Sequence, residues 1–121
     1  MRVLLVDDQP LNLELLKALC KATKVDAEIA SDGLDAVEKA TQEQFAFVIM
    51  DIHMPKMDGI EATRLIKEKL SEEGRNTKII GLTADTSEET QQRGLQAGMS
   101  RIIFKPIDMK TFIDAIELKL N

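Results

Sequence analysis

The stretch Phe45-Ala46-Phe47-Val48-Ile49-Met50-Asp51 decides the fold. It is an apolar run rich in Phe, Val and Ile that ends abruptly in a carboxylate, followed by Ile52-His53-Met54-Pro55 and the turn pair Asp58-Gly59. A short apolar run bounded by turn residues reads as a strand buried on both faces, as in a parallel sheet. Asp51 then stands at the carboxyl end of the strand, where open α/β sheets place their ligand sites. Three more runs have the same shape. Arg2-Val3-Leu4-Leu5-Val6 leads into Asp7-Asp8, Lys78-Ile79-Ile80-Gly81-Leu82 into Thr83-Ala84, and Arg101-Ile102-Ile103-Phe104 into Lys105-Pro106. Four apolar runs therefore end in acid, acid, hydroxyl and amine.

The segments between these runs carry helical periodicity. Leu11, Leu15, Leu16 and Leu19 recur at helical spacing behind Pro10, whose missing N–H is tolerated at a helix start. Residues 26–30 form a weak strand, and Ser31-Asp32-Gly33 a turn that caps a helix burying Leu34, Val37 and Ala40. A helix from about Ile60 to Leu70 buries Ile60, Leu65 and Ile66, with the charged segment 71–76 read as a solvated loop. Asp85 to Thr90 read as a helix start with acids in the first turn. That helix carries little apolar surface beyond Leu95, contains the helix-weakening Gly94, and ends at Gly98 as a left-handed cap. The last helix is expected over Met109–Leu120, with Phe112, Ile113, Ile116 and Leu120 on one face. Five strands alternating with five helices predict a parallel sheet covered on both faces, joined by right-handed crossovers.

The chain has 121 residues, 44% hydrophobic and 31% charged, which fits one globular domain over residues 1–121. Its formal charge of −5 argues against direct nucleic-acid binding, which needs a basic face. The single cysteine, Cys20, rules out an intramolecular disulfide and is read as a helix core residue. No run approaches the ~20 apolar residues of a membrane span, and Asp7-Asp8 interrupts any signal-peptide pattern, so a cytoplasmic location is expected.

In a parallel sheet Asp7, Asp8, Asp51, Thr83 and Lys105 meet at one edge. Clustered carboxylates repel one another, and a buried unpaired anion is costly, so the cluster makes sense when a positive charge is shared among them. A hard divalent cation with oxygen ligands fits, and Mg²⁺ combines one or two carboxylates with waters and a phosphoryl oxygen. Lys105 adds an ammonium and Thr83 a donor hydroxyl. A carboxylate nucleophile with charge stabilisation for equatorial oxygens is what phosphoryl transfer requires.

On these residues, in this order and spacing, the whole chain resembles a response-regulator receiver domain of two-component signalling. The resemblance implies a flavodoxin-like doubly wound sheet with strand order 2-1-3-4-5. It implies that Asp51 is the phosphoacceptor, taking a phosphoryl group from a phosphohistidine. Asp8, Asp51 and the backbone carbonyl of His53 would ligate Mg²⁺, with Mn²⁺ as the alternative ion, and Asp7 would act through water. Thr83, Ala84 and Lys105 would contact the phosphoryl oxygens, and the Lys105–Pro106 peptide would be cis. The run Met54–Arg64 resembles the receivers of hybrid histidine kinases and phosphorelays. There a histidine phosphotransfer domain docks beside the first helix, which makes Leu11, Asn12 and Leu15 candidates for partner contact.

The family's usual aromatic switch residue, three before the lysine, is Ile102 here, and Phe104 is expected to point to the opposite face of its strand. Output would run through the face formed by the fourth helix, fifth strand and fifth helix to a downstream protein partner. Two other readings compete: a pseudo-receiver that binds protein without taking phosphate, and a phosphohydrolase with an aspartyl nucleophile. The hydrolase would need an acid two residues after Asp51, where this chain has His53, the only histidine. Its imidazole is read as facing solvent.

Overall fold

Val3, Leu4, Leu5 and Val6 are all fully buried, as are Val48, Ile49 and Met50. Strands with no wet side can only lie inside a sheet covered on both faces. The computed structural model, which describes residues 1–119, has that sheet. Its strands are β1 (Arg2–Val6), β2 (Asp26–Ala30), β3 (Phe47–Asp51), β4 (Lys78–Thr83) and β5 (Arg101–Phe104). Between and after them run α1 (Pro10–Ala22), α2 (Gly33–Gln42), α3 (Gly59–Glu72), α4 (Glu88–Ala97) and α5 (Met109–Ala115). All pairings are parallel and the order is β2-β1-β3-β4-β5, the flavodoxin-like doubly wound arrangement expected.

Alternation along the strands sorts the core into two layers. Val3, Leu5, Phe47, Ile49, Ile80 and Leu82 face the layer of α1 and α5, where Leu16 and Phe112 are buried. Leu4, Val6, Val48, Met50 and Ile79 face the layer of α2, α3 and α4, with Ile66 and Leu70. Cys20 lies in the first layer, where burial pushes its thiol up to about 11, so it packs as a small apolar group.

Several expectations need correction. β3 begins at Phe47 rather than Phe45, because the ladders on both sides begin there, Val3 pairing Phe47 from β1 and Lys78 from β4. Phe45 is still buried. The buried stripe of α1 is Leu13, Leu16, Leu19 and Cys20, which leaves Leu11 84% and Leu15 44% exposed. α2 turns Gly33, Ala36 and Ala40 inward and leaves Leu34 67% exposed, since the inward stripe runs at helical spacing from Gly33 and Leu34 falls to one side of it. α3 keeps Leu65 only half-buried and runs through Ser71 and Glu72 before Gly74 turns left-handed at φ +67°. α4 starts at Glu88, capped by Ser87 rather than Asp85. α5 stops at Ala115 because Glu117 adopts φ 54° and Leu118 N–H bonds back to the Ile113 carbonyl at 3.0 Å. The expected place of Leu120 on that helix lies outside the described residues.

The apolar anchoring of α4 is also thinner than expected. Leu95 is 51% exposed, and only Thr90 and Gly94 are buried. Gly94 is there for contact: a Cβ on it would lie 2.7 Å from Ile102 Cδ1 and 3.0 Å from Met99 Sδ. The glycine that weakens the helix is thus the notch through which the helix sits on β5. Gly98 caps it in the left-handed region at φ 115°, as expected.

The corrected α1 face gives a direct test. Leu16→Ala should cost about 2–5 kcal/mol in urea unfolding, whereas Leu11→Ala should stay within about 0.5 kcal/mol of the parent. Equal costs would contradict the assignment of the buried stripe.

Candidate functional site

The parallel register assembles the site. Val6 pairs with Met50, which sets Asp7 level with Asp51, and Asp51 pairs in turn with Leu82. Thr83 pairs with Phe104, and Lys105 follows directly. Carboxylate oxygens of Asp7, Asp8 and Asp51 lie within 4.8 Å of one another. Asp7 and Thr83 are fully buried, Asp51 is 3% exposed, and Asp8 is half-buried. Lys105 Nζ stands 3.0 Å from Asp51 Oδ1 and 3.4 Å from Asp7 Oδ2. Gln9 N–H donates to Asp7 Oδ1 at 2.9 Å, while Asp7 Oδ2 is buried with no hydrogen-bond partner.

Burial pushes the Asp51 carboxyl from 3.8 up to about 6, the Asp7 and Asp8 charges push the same way, and Lys105 opposes them. The Lys105 ammonium is lowered by burial but held above its ordinary value by Asp51 and Asp7. Three acids around one amine leave an excess of negative charge. The donor set is all carboxylate oxygen, one of them buried with no hydrogen bond beyond its ion pair to Lys105 at 3.4 Å, and this fits a hard divalent cation such as Mg²⁺.

The loops around this edge are pinned by short-range bonds. Gly59 opens α3 directly beneath the end of β3: a Cβ there would lie 2.1 Å from the Asp51 carbonyl oxygen, so only glycine lets the 52–58 loop return so closely. Gly59 N–H donates to the Ile52 carbonyl at 2.7 Å, and the Asp58 side chain caps Glu61 N–H at 2.8 Å. On the other side Lys105 N–H donates to the Thr83 carbonyl at 2.8 Å. The Lys105–Pro106 peptide is cis, as expected. Ala84 is exposed beside Thr83, and His53 is exposed with Nε2 3.4 Å from Asp85 Oδ2.

Asp85 escaped the sequence reading, which took it for one of several helix-start acids. Its N–H donates to Thr83 Oγ1 at 3.0 Å, and its carboxylate accepts from Ser87 N–H at 2.8 Å and from the Thr90 hydroxyl at 2.7 Å. The Ser87 backbone bond and the Thr90 hydroxyl hold the carboxyl down at about 2. The spacing Asp85-Thr86-Ser87, with Thr90 three beyond the serine, is the signal that could have found it. Phe104 also needs correction. It lies two positions after Ile102 and so shares its face, with Ile103 on the opposite side in the α1–α5 layer. Leu11 and Leu15 are exposed and Asn12 half-buried on the first turns of α1, directly after the Asp7–Asp8 loop.

Fold and site together define a doubly wound domain whose acidic pocket, at the carboxyl edge of the sheet, can hold a divalent cation. Residues 3–117 match the response regulator receiver domain family, and the chain belongs to it. It is a two-component receiver domain, the unit used in phosphorelay signalling. Over 116 residues it is 41% identical to the autoinducer 2 sensor kinase/phosphatase LuxQ of Vibrio vulnificus, covering 96% of this chain and 13% of that protein. Over 108 residues it is 41% identical to the histidine-protein kinase BarA of Shigella flexneri, covering 89% of this chain and 12% of that protein. The chain thus spans only a small part of these curated relatives. It is also similar to the receiver domain of sensor histidine kinase PA1611 from Pseudomonas aeruginosa, a structure with magnesium in its active-site cleft. There the TM-score is 0.86 and the identity 31%, over 96% of this chain and 93% of that one. Among the described residues no helix is long and apolar enough to cross a membrane.

The raised Asp51 carboxyl gives a pH test. The folded protein holds a proton there up to about pH 6 and the unfolded chain only up to about 4. The stabilising contribution is therefore complete below pH 4 and lost as pH rises through 6. Without divalent cations, Asp51→Asn should be more stable than the parent by about 1–2 kcal/mol at pH 7.5, part of the gain being offset by the anion Lys105 loses. The gap should close by pH 4 in urea unfolding series; a gap independent of pH would contradict this reading of the pocket.

Proposed function

We propose that Asp51 accepts a phosphoryl group from the phosphohistidine of a histidine kinase or histidine phosphotransfer protein. The observation that carries this reading is the Asp51 carboxylate at the end of β3, bonded at 3.0 Å to Lys105 and flanked by Asp7 and Asp8. An Asp51 carboxylate oxygen attacks phosphorus and forms the acyl-phosphate bond. The P–N bond to the donor breaks, and its electron pair leaves with the imidazole nitrogen.

Lys105, already within reach of the nucleophilic oxygen, balances the charge of the incoming group, and the buried Thr83 hydroxyl donates to a phosphoryl oxygen with Ala84 beside it. Asp8, Asp51 and the His53 carbonyl would hold Mg²⁺ or Mn²⁺, with Asp7 acting through water; the ion supplies charge neutralisation of the phosphoryl oxygens. Leu11, Asn12 and Leu15 lie beside the pocket mouth and present the donor surface. Output passes to a downstream protein through the α4–β5–α5 face. The step calls for one receiver domain, read over residues 1–121, and a phosphohistidine donor supports a cytoplasmic location. The domain takes part in its own phosphorylation and dephosphorylation as a phosphoacceptor, with His53 standing where an aspartyl phosphohydrolase would need its general acid.

Intact mass after incubation with acetyl phosphate tests this. A gain of one phosphoryl group that requires Mg²⁺ and is absent from Asp51→Asn is the expected result. No gain under any condition would leave a pseudo-receiver, and turnover without an adduct, together with hydrolysis of unrelated phosphomonoesters, would indicate a hydrolase.

A further inference from the structure

The receiver reading leaves one question open: how a change at Asp51 reaches α4 when the usual aromatic position holds Ile102. Ile102 cannot take up that role by swinging, because it is half-buried with its terminal atoms in the notch left by Gly94. Nor does α4 have an apolar anchor at its first turn, where Thr90 is the only buried residue before Gly94. What holds that turn is a chain of polar bonds running back into the pocket. Thr83 Oγ1 accepts from Asp85 N–H at 3.0 Å, and Asp85 Oδ2 accepts from the Thr90 hydroxyl at 2.7 Å. Asp85 Oδ1 takes Ser87 N–H at 2.8 Å, and Ser87 Oγ takes Thr90 N–H at 3.3 Å.

We propose that Asp85 is a positioning residue that couples the Thr83 hydroxyl to α4, so that the state of the Asp51 pocket is read out through the Asp85–Thr90 bond. The proposal rests on the phosphoacceptor reading above. Thr83 and Thr90 are both buried while the Asp85 side chain between them is 36% exposed, so the two bonds are fixed at their buried ends and persist only while those ends keep their spacing. When Thr83 moves toward a phosphoryl oxygen, Asp85 N–H follows it, and its carboxylate either draws Thr90 along or releases it. Gly94 is the complementary part. It sits on Ile102 and Met99 one turn further along, about 6 Å from Thr90, and serves as the pivot about which the first turn moves. A helix with so few apolar contacts belongs to the least stable part of the fold, where small energies shift populations.

Thr90→Val removes the hydroxyl without touching the pocket, and Thr90→Ser restores it. Phosphoryl loading is followed by intact mass with acetyl phosphate and Mg²⁺, and the response of α4 by the backbone amide shifts of residues 91–98 under the same conditions. The expected result is that all three proteins load within about twofold of one another. The α4 shift changes of the parent should fall by at least half in Thr90→Val and return in Thr90→Ser. An unchanged α4 response in Thr90→Val, or a loss that Thr90→Ser does not restore, would overturn the coupling. Failure of the parent itself to load would overturn the phosphoacceptor reading and the coupling with it, and is distinguished by appearing before any substitution is made.

Discussion

Three carboxylates, from Asp7, Asp8 and Asp51, share one end of the sheet with a single ammonium, from Lys105, and water reaches little of Asp7 and Asp51. Parallel register makes this unavoidable. Strands running the same way deliver their carboxyl ends to one edge, and the neighbours β1 and β3 both lead into acid. The consequences follow from charge. Asp51 holds a proton to unusually high pH, Asp7 keeps a buried oxygen without a hydrogen bond, and Lys105 lies between the two acids. A site that costs stability when empty of cations is one that gains most from binding them.

The loops bear this strain because each is fastened to the strand end it serves. Gly59 presses against the Asp51 carbonyl, Asp58 caps α3, and Lys105 is tied to Thr83 through the backbone. The fastening is uneven around the pocket. The 52–58 loop returns to a helix with buried Ile60, Ile66 and Leu70, whereas the 84–87 loop leads into α4, which has a glycine notch and a buried threonine in place of an apolar face. Firm fastening beneath Asp51 and thin anchoring beside Thr83 are what the proposed two-state switch requires: one side would hold the chemistry and the other would move.

Much of this was legible in the sequence. Each apolar run ending in a functional residue placed a strand and a site residue together, because burial on both faces leaves no alternation to misread. Strand order and the ligand chemistry followed from that and from the family resemblance. Helix faces were less legible. In α1 the residues Leu11, Leu13, Leu15, Leu16 and Leu19 offer two overlapping stripes, and only packing decides that Leu13, Leu16 and Leu19 go inward. In α2, Leu34 was expected inside with Val37 and Ala40, but the inward stripe runs through Gly33, Ala36 and Ala40, with Gly33 close against Met57. Asp85 was missed since an acid near a helix start is ordinary; its bonds to Thr83 and Thr90 depend on where the β4 end meets the next helix.

The most direct test of the pocket's charge imbalance is a calorimetric titration of Mg²⁺ into the unphosphorylated protein at pH 7.5, compared with Asp8→Asn and with Leu11→Ala. The account predicts one saturable site, unchanged within about twofold by Leu11→Ala and weakened at least tenfold, about 1.4 kcal/mol, by Asp8→Asn. Absence of saturable binding, or equal affinity in the parent and Asp8→Asn, would contradict it.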